Sequence, residues 1–401
     1  MSLGRFIILP NEVIVTILAE IDNLVDFLSL SYTSKSFNYI CQDDIIWKMK
    51  YRKDFWKIDI SVKPLPLVEQ ETWQERYHLT HQILKANSQI SVGFGQQGFI
   101  DQTGRFTIHG KGSGGQIVTE DKNIKSFVEK LFSRVISVAC SDDNTTIVTE
   151  AGKVYYWGRN YNNYLRFPKK TLAGNHGGTL LPIPQEIHLP GRALRVVSGR
   201  GSIGVILEDF SVYVWGVLRS DGINYVAPSR PTRVNLRAID LSMENVSFTA
   251  VGTDNQIYFW GDAFEASGTD QLGGPIFEYI KEPTLVKFPL RDNKLKFKQV
   301  SMGDFYIMAL STTGEVYMWG HNGGTQPTLL PFSTPITYID AKENKGSAID
   351  QMGKLYIWDD AYRISKPRRI KSKIKWISMG EMFFVVMMVN GTIKIYDTKL
   401  S

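Results

Sequence analysis

His78 and His81 stand three positions apart, the spacing with which two imidazoles can grip a metal ion from one face of a helix. Such a site needs further ligands, and no carboxylate or cysteine pattern completes it. The pair therefore reads as solvent-facing. The two cysteines, Cys41 and Cys140, are too few for a disulfide framework and sit in no motif of the thiol enzymes. Gly110-Lys111-Gly112-Ser113-Gly114-Gly115 has the composition of a phosphate-cradling loop but lacks the Gly-x4-Gly-Lys-Ser/Thr order and a following helix. No catalytic residue, metal site or cofactor is expected. Residues 363–375 carry Arg363, Lys366, Arg368, Arg369, Lys371, Lys373 and Lys375, a run of the kind that contacts nucleic acid or directs nuclear import. Its alternation through Ile370, Lys371, Lys373, Ile374 and Lys375 favours a solvated strand pair, so nucleic acid is not the favoured partner.

With catalysis set aside, the elements themselves carry the reading. The 401 residues can bury a large core and more than one domain, and fractions of 43% hydrophobic and 21% charged are those of an ordinary globular protein. The formal net charge of +6 is a mild excess that permits acidic partners without demanding them. The apolar run over residues 5–9 is interrupted by Pro10 and Glu12 and is too short for a signal peptide. The longest apolar stretch, residues 382–389, falls far below the ~20 residues that span a bilayer. An intracellular protein of the cytoplasm or nucleus, with no membrane partner, is expected.

Internal periodicity organises most of the chain. Alternating apolar positions lead to an aromatic and usually a Gly in Val154-Tyr155-Tyr156-Trp157-Gly158, Val212-Tyr213-Val214-Trp215-Gly216, Ile257-Tyr258-Phe259-Trp260-Gly261 and Val316-Tyr317-Met318-Trp319-Gly320. Leu355-Tyr356-Ile357-Trp358 follows without the Gly, and Phe106-Thr107-Ile108-His109-Gly110 and Ile393-Lys394-Ile395-Tyr396 are degenerate copies at the two ends. A hairpin turn precedes each copy, ending in Gly at Gly104, Gly152, Gly314, Gly353 and Gly391. Only Asp209-Phe210 lacks the Gly or Asn that a left-handed turn favours. Pro-x-x-aliphatic segments open outer strands at Pro184, Pro231, Pro283, Pro327 and Pro367, where a missing N–H is harmless. Seven units of four short strands result. Each has two apolar faces, so each must be sandwiched by its neighbours.

These motifs resemble the regulator-of-chromosome-condensation repeat, whose signature continues past Trp-Gly as in Arg159-Asn160, His321-Asn322 and Gln271-Leu272-Gly273. The resemblance covers residues 89–401 and implies an all-β, seven-bladed propeller. Because the degenerate copies stand at the two ends, the ring is expected to close by mixing strands from residues 89–110 with strands from residues 376–396.

Residues 1–60 differ. Val13, Ile14, Ile17, Leu18 and Ile21 recur at helical spacing after Leu9-Pro10-Asn11-Glu12. A second helix carries Leu24, Phe27, Leu28 and Leu30, a third carries Phe37 and Ile40, and Trp47 follows a break at Asp43-Asp44. This all-α segment of about three helices resembles the F-box in its Leu9-Pro10, Val25-Asp26-Phe27 and Asp44-Ile45-Ile46-Trp47 steps. Residues 61–88 read as a helical linker through Leu67, Trp73, Tyr77 and Leu84. The chain is thus read as multidomain.

The resemblance implies a substrate-recognition subunit of an SKP-cullin-F-box ubiquitin ligase, non-catalytic and partnered by an SKP-type adaptor, through it a cullin, and a protein substrate. Adaptor contacts are expected at Leu9, Pro10, Val13, Ile14, Ile17, Leu18, Phe27, Leu28 and Trp47, because so short a segment cannot bury every aliphatic internally. Substrate contacts are expected on the long loops after Trp157, Trp215 and Trp260, at Arg159, Tyr161, Tyr164, Arg166, Arg219, Tyr225 and Phe264. The alternative is a propeller acting alone, as a guanine-nucleotide exchange factor for a small GTPase or as a chromatin-binding protein.

Overall fold

A computed structural model describes residues 10–21, 24–33, 35–56, 64–94, 96–110, 122–141, 144–161, 172–173, 178–199, 201–216, 219–220, 225–226, 230–244, 246–262, 279–288, 295–304, 306–320, 324–358, 373–380 and 383–397. They divide into two compact units, residues 1–85 and 86–401.

The first unit is helical: α1 (Asn11–Ala19), α2 (Leu24–Ser31), α3 (Lys35–Cys41), α4 (Asp44–Phe55) and α5 (Trp73–Ala86). The expected break at Asp43-Asp44 separates α3 from a further helix, α4, which starts there. Asp43 caps it by accepting the Ile45 N–H at 2.8 Å, and Asp44 adds negative charge to the first turn, where the helix dipole favours it. Trp47 lies at the centre with its indole N–H donating to the Cys41 carbonyl at 2.9 Å and Phe27 edge-on at 5.2 Å. The helix expected as a linker packs Trp73 and Tyr77 into this same core. A buried cation completes it. Lys50 is fully buried yet satisfied, donating to the Ile21 carbonyl at 2.6 Å and pairing with Asp54 at 3.4 Å. Arg76, equally buried, pairs with Glu71 at 2.8 Å and donates to the Leu65 and Pro66 carbonyls, pinning the extended segment before α5.

The second unit is β-rich and contains seven successive blades. Blade 1 comprises Ile90–Val92, Gln96–Ile100 and Phe106–Gly110, and blade 2 comprises Val135–Cys140, Asn144–Thr149, Val154–Tyr161 and Gly178–Ile187. Helix α6 (Lys122–Phe132) lies between them in sequence and sets Leu131 and Phe132 against Phe106 and Trp157. Blade 3 is built from Ala193–Ser198, Ser202–Leu207, Ser211–Gly216 and the first half of Thr232–Glu244. That long strand runs on as the innermost strand of blade 4, followed by Ser247–Gly252, Ile257–Asp262 and Tyr279–Leu285. Phe297–Met302, Tyr306–Ser311, Val316–Gly320 and Gly324–Leu329 form blade 5. Ile336–Lys342, Lys345–Asp350 and Leu355–Trp358 form blade 6, and Ile374–Met379, Phe383–Met388 and Ile393–Asp397 form blade 7.

The two-faced strands pack as their alternation demands. Val154 and Tyr156 of blade 2 meet Tyr213 and Trp215 of blade 3, and Val316 and Met318 of blade 5 meet Tyr356 and Trp358 of blade 6. The Gly after the Trp is also explained. Gly216 has a φ of 93°, and a Cβ there would collide with the Gly201 carbonyl. At the one hairpin without Gly or Asn, Phe210 still adopts a left-handed φ of 65°. Its ring is fully buried under the Arg237 guanidinium, and Asp209 accepts the Ser211 N–H at 3.0 Å. Packing and the Asp209 turn outweigh the local strain of roughly 1–2 kcal/mol.

Hydrogen bonds from one innermost strand to the next tie the blades into a ring. In six of the seven seams a side chain accepts a backbone N–H of the following blade. Ser91 accepts from Cys140, Ser137 from Val196, Ser242 from Met302, Ser301 from Ala341, Asp340 from Met379 and Ser378 from Val92, all at 2.6–3.2 Å. The remaining seam, between blades 3 and 4, carries the Arg195–Asp240 ion pair at 2.8 Å. Closure therefore differs from the expected strand mixing. Among the described strands, blades 1 and 7 are separate sheets, joined through Ser378 and the buried contact of Ile90, Val92 and Phe99 with Trp376, Val385 and Met387.

Candidate docking faces

Helix α1 is apolar on two sides. Ile14 and Leu18 turn inward with Phe27 and Trp47, and these four are buried in the helical core. Val13 and Ile17, one turn apart, remain 41% and 38% exposed beside the exposed Pro10. Leu28 is half-buried, and Leu9 lies outside the described residues. The expected contact set thus separates into an outward row, Pro10, Val13 and Ile17, and an inward set that shapes it. Sequence reasoning missed Val25, Tyr32, Tyr39 and Ile45, all exposed apolar side chains on α2, α3, α4 and the turn after α2. Their signal was available: each falls off the helical phase of the buried residues around it.

The thiols and imidazoles bear on chemistry. Burial pushes the Cys41 thiol up and the Cys140 thiol up to about 12, so both stay protonated and weakly nucleophilic. His78 is half-buried against Trp47 at 4.9 Å, not solvent-facing as expected, whereas His81 is exposed and stacks on Tyr77. Burial lowers both imidazoles, which favours the neutral rings. Among the described residues no cluster of His, Cys, Asp or Glu could hold a metal ion.

In the propeller, the segments expected as irregular loops begin as β-ribbons. Val154–Tyr161 continues past Trp157 and pairs Arg159 with Leu180 and Tyr161 with Gly178. Arg219 and Tyr225 stand on a short ribbon opposite Val226 and Ser220. Arg159 is half-buried, and its carbonyl accepts the Tyr156 hydroxyl at 2.5 Å. Tyr164, Arg166 and Phe264 lie outside the described residues.

Innermost strands of all seven blades line a central cavity of about 150 Å3. Its wall is polar, and some of its charges pair with one another. Lys342 of blade 6 reaches Glu244 of blade 4 at 2.7 Å, Arg195 holds Asp240, and serine hydroxyls occupy the seams. Burial pushes Asp340 up to about 7, against the opposing pull of Lys342 and the Met379 N–H. Burial also raises Asp240 despite Arg195.

Comparison with known proteins matches both units. The F-box-like family model matches residues 6–53, and the regulator of chromosome condensation (RCC1) repeat matches residues 135–163 and 297–326. The chain is 25% identical over 308 residues to the Arabidopsis thaliana RCC1 domain-containing protein RUG3, mitochondrial, covering 68% of this chain and 65% of that one. It therefore spans somewhat less than two thirds of that relative. The solved structure of human WBSCR16 superposes with a TM-score of 0.61 at 16% identity, over 75% of this chain and 87% of that one. Prp20p of Saccharomyces cerevisiae, described with its binding properties to Gsp1p and histones, gives 0.59 at 16% identity over 74% and 81%. At such identity these likenesses establish the fold.

The fold and the matches define an N-terminal F-box-like helical domain followed by a β-propeller. The propeller is RCC1-like, and the two RCC1 repeat matches fall in blades 2 and 5. No helix among the described residues is long and apolar enough to cross a membrane.

Proposed function

We propose that the chain is the substrate-recognition subunit of an SKP-cullin-F-box type E3 ubiquitin ligase, acting inside the cell without catalytic groups or a cofactor of its own. The observation that carries this reading is the row Pro10, Val13 and Ile17. It stays exposed on an F-box-like domain whose interior is already filled by Ile14, Leu18, Phe27 and Trp47. Aliphatic anchors on a rigid helix suit a stable protein partner, and the SKP-type adaptor is the one this domain class implies. The propeller then presents its ribbons and loops after Trp157, Trp215 and Trp260 to a protein substrate, while the adaptor and cullin bring the ubiquitin-loading enzymes. Protonated, buried thiols support a scaffolding role, since ubiquitin transfer through this chain would need a reactive thiolate.

Co-elution of the full chain with a purified SKP-type adaptor on size exclusion tests the reading. A stable complex is expected. The alternative of a propeller acting alone is tested alongside, by nucleotide release from a small GTPase and by histone binding, with neither expected to depend on Val13 or Ile17.

A further inference from the structure

The innermost strands turn a row of backbone oxygens toward the central cavity. In an antiparallel pair, a residue whose N–H points away from the partner strand points its carbonyl away as well. Gly93, Ser141, Gly303 and Gly380 donate to the next strand of their own blade, to Gln96, Asn144, Tyr306 and Phe383, at 2.9–3.0 Å. The residues just before them, Val92, Cys140, Met302 and Met379, are therefore turned inward. Their N–H groups go to the seam side chains, as does that of Ala341. The carbonyls of these five residues belong to blades 1, 2, 5, 6 and 7 and line the cavity, and among the described residues none accepts a hydrogen bond. Five charged side chains share the wall. Arg195 pairs with Asp240 and Lys342 with Glu244, which leaves Asp340 without an ion-pair partner among the described residues.

We propose that the central cavity binds a monovalent alkali cation, with Asp340 supplying the countercharge and the inward carbonyls of Val92, Cys140, Met302, Ala341 and Met379 supplying neutral oxygens, directly or through water. Carbonyl and carboxylate oxygens are hard ligands of the kind that replace the hydration shell of such ions. A single uncompensated carboxylate balances one positive charge, whereas tight divalent sites gather several. The cavity of about 150 Å3 has room for the ion and several waters, each of roughly 30 Å3. The titratable groups that face Asp340 leave the place open. Lys342 is engaged by Glu244 at 2.7 Å, and burial keeps the Tyr338 hydroxyl protonated. An ion there would link blades 5, 6 and 7 to blades 1 and 2, across the seam that closes the ring. The inference goes beyond adaptor docking and does not depend on it.

The probe is potassium ion itself, with tetramethylammonium, too large for direct oxygen contacts, as the control cation at equal ionic strength. The thermal transition of the full chain is followed by calorimetry in either chloride at about 0.15 M. At about pH 8 the propeller transition is expected to stand at least about 3 °C higher in potassium. Asp340→Asn keeps an acceptor for the Met379 N–H but loses the charge, and should abolish the difference. Should that variant fail to fold, the native protein carries the test alone. Protons compete with the cation for Asp340, so the potassium effect should shrink by more than half on going from about pH 8 to about pH 6. Equal transitions in the two salts at the higher pH, a folded Asp340→Asn variant that keeps the full difference, or an effect unchanged between the two pH values overturns the proposal. So does stabilisation by calcium or magnesium chloride alone, which would make the site a divalent one.

Discussion

The Asp340 carboxylate accepts the Met379 N–H at 2.6 Å across the seam between blades 6 and 7. Most other seams use a serine hydroxyl in this role, so an ionisable group here makes the ring respond to pH. Burial raises Asp340 to about 7, with the Met379 N–H and Lys342 opposing, and burial, with Asp340 adding to it, raises the nearby Tyr338. The folded protein holds this proton more tightly than the unfolded chain. Its stabilising contribution is complete below the ordinary carboxylate range and is lost as pH rises through about 7. The stability of the native protein relative to Asp340→Asn is therefore expected to fall from pH 4 to pH 7.5 and then level off. Denaturant unfolding of both proteins across that range checks it, and a pH-independent difference would remove Asp340 from the account.

Among the described residues, ring closure runs through the Ser378 hydroxyl, a Lys375 to Gln89 hydrogen bond at 3.1 Å and one apolar contact. Ser378→Ala leaves the Val92 N–H buried without its acceptor, at a cost of about 1–3 kcal/mol. Because Trp376, Val385 and Met387 bury the face of blade 1, opening this seam is expected to lower the transition of the whole propeller. A calorimetric scan in which only a minor, separate transition moves would show that blade 7 closes nothing.

The ribbons and loops after Trp157, Trp215 and Trp260 are the proposed substrate face. Replacing all three with short Gly-Ser connectors is expected to leave adaptor binding intact and abolish substrate capture, since loop length adds little to closure entropy. Affinity purification with mass spectrometry, native against replaced, is the measurement. Unchanged partners would move the substrate site off this rim.

The fold was legible where a single period decided it. Seven copies of the aromatic strand gave the blades, and helical spacing gave α1 and α2. Three features were not legible, for physical reasons. Helix α4 hid behind the break at Asp43-Asp44, because the same residues that end one helix also cap the next, and only the Ile45 N–H bond tells which. Closure by facing sheets involves contacts between residues nearly 290 positions apart, which no local pattern encodes. At the candidate face, composition showed a surplus of aliphatics, but the inward and outward sides of α1 differ by one position. Ile14 is buried and Val13 is not. The serine ring was in view in Ile90-Ser91-Val92-Gly93, Gln299-Val300-Ser301-Met302-Gly303 and Trp376-Ile377-Ser378-Met379-Gly380, where a polar residue recurs two before the Gly on an otherwise apolar strand.

Inward and outward residues of the helical unit should respond differently to substitution. Phe27→Ala or Trp47→Ala removes a buried aromatic from the centre of the core and is expected to cost about 3–5 kcal/mol, enough to unfold the unit. Limited proteolysis should then cut within residues 10–56 while the propeller stays intact. Resistance equal to the native protein's would place these side chains outside the core.

The central claim is tested most directly by titrating the full chain against a purified SKP-type adaptor by calorimetry, native and with Val13→Asp and Ile17→Asp together. Both residues are exposed, so the variant is expected to keep its thermal transition. Binding by the native chain and a loss of at least about a hundredfold in the variant is the predicted result, as two interface anchors of 1–3 kcal/mol each would give. No binding by the native chain, or equal binding by a folded variant, would contradict the account.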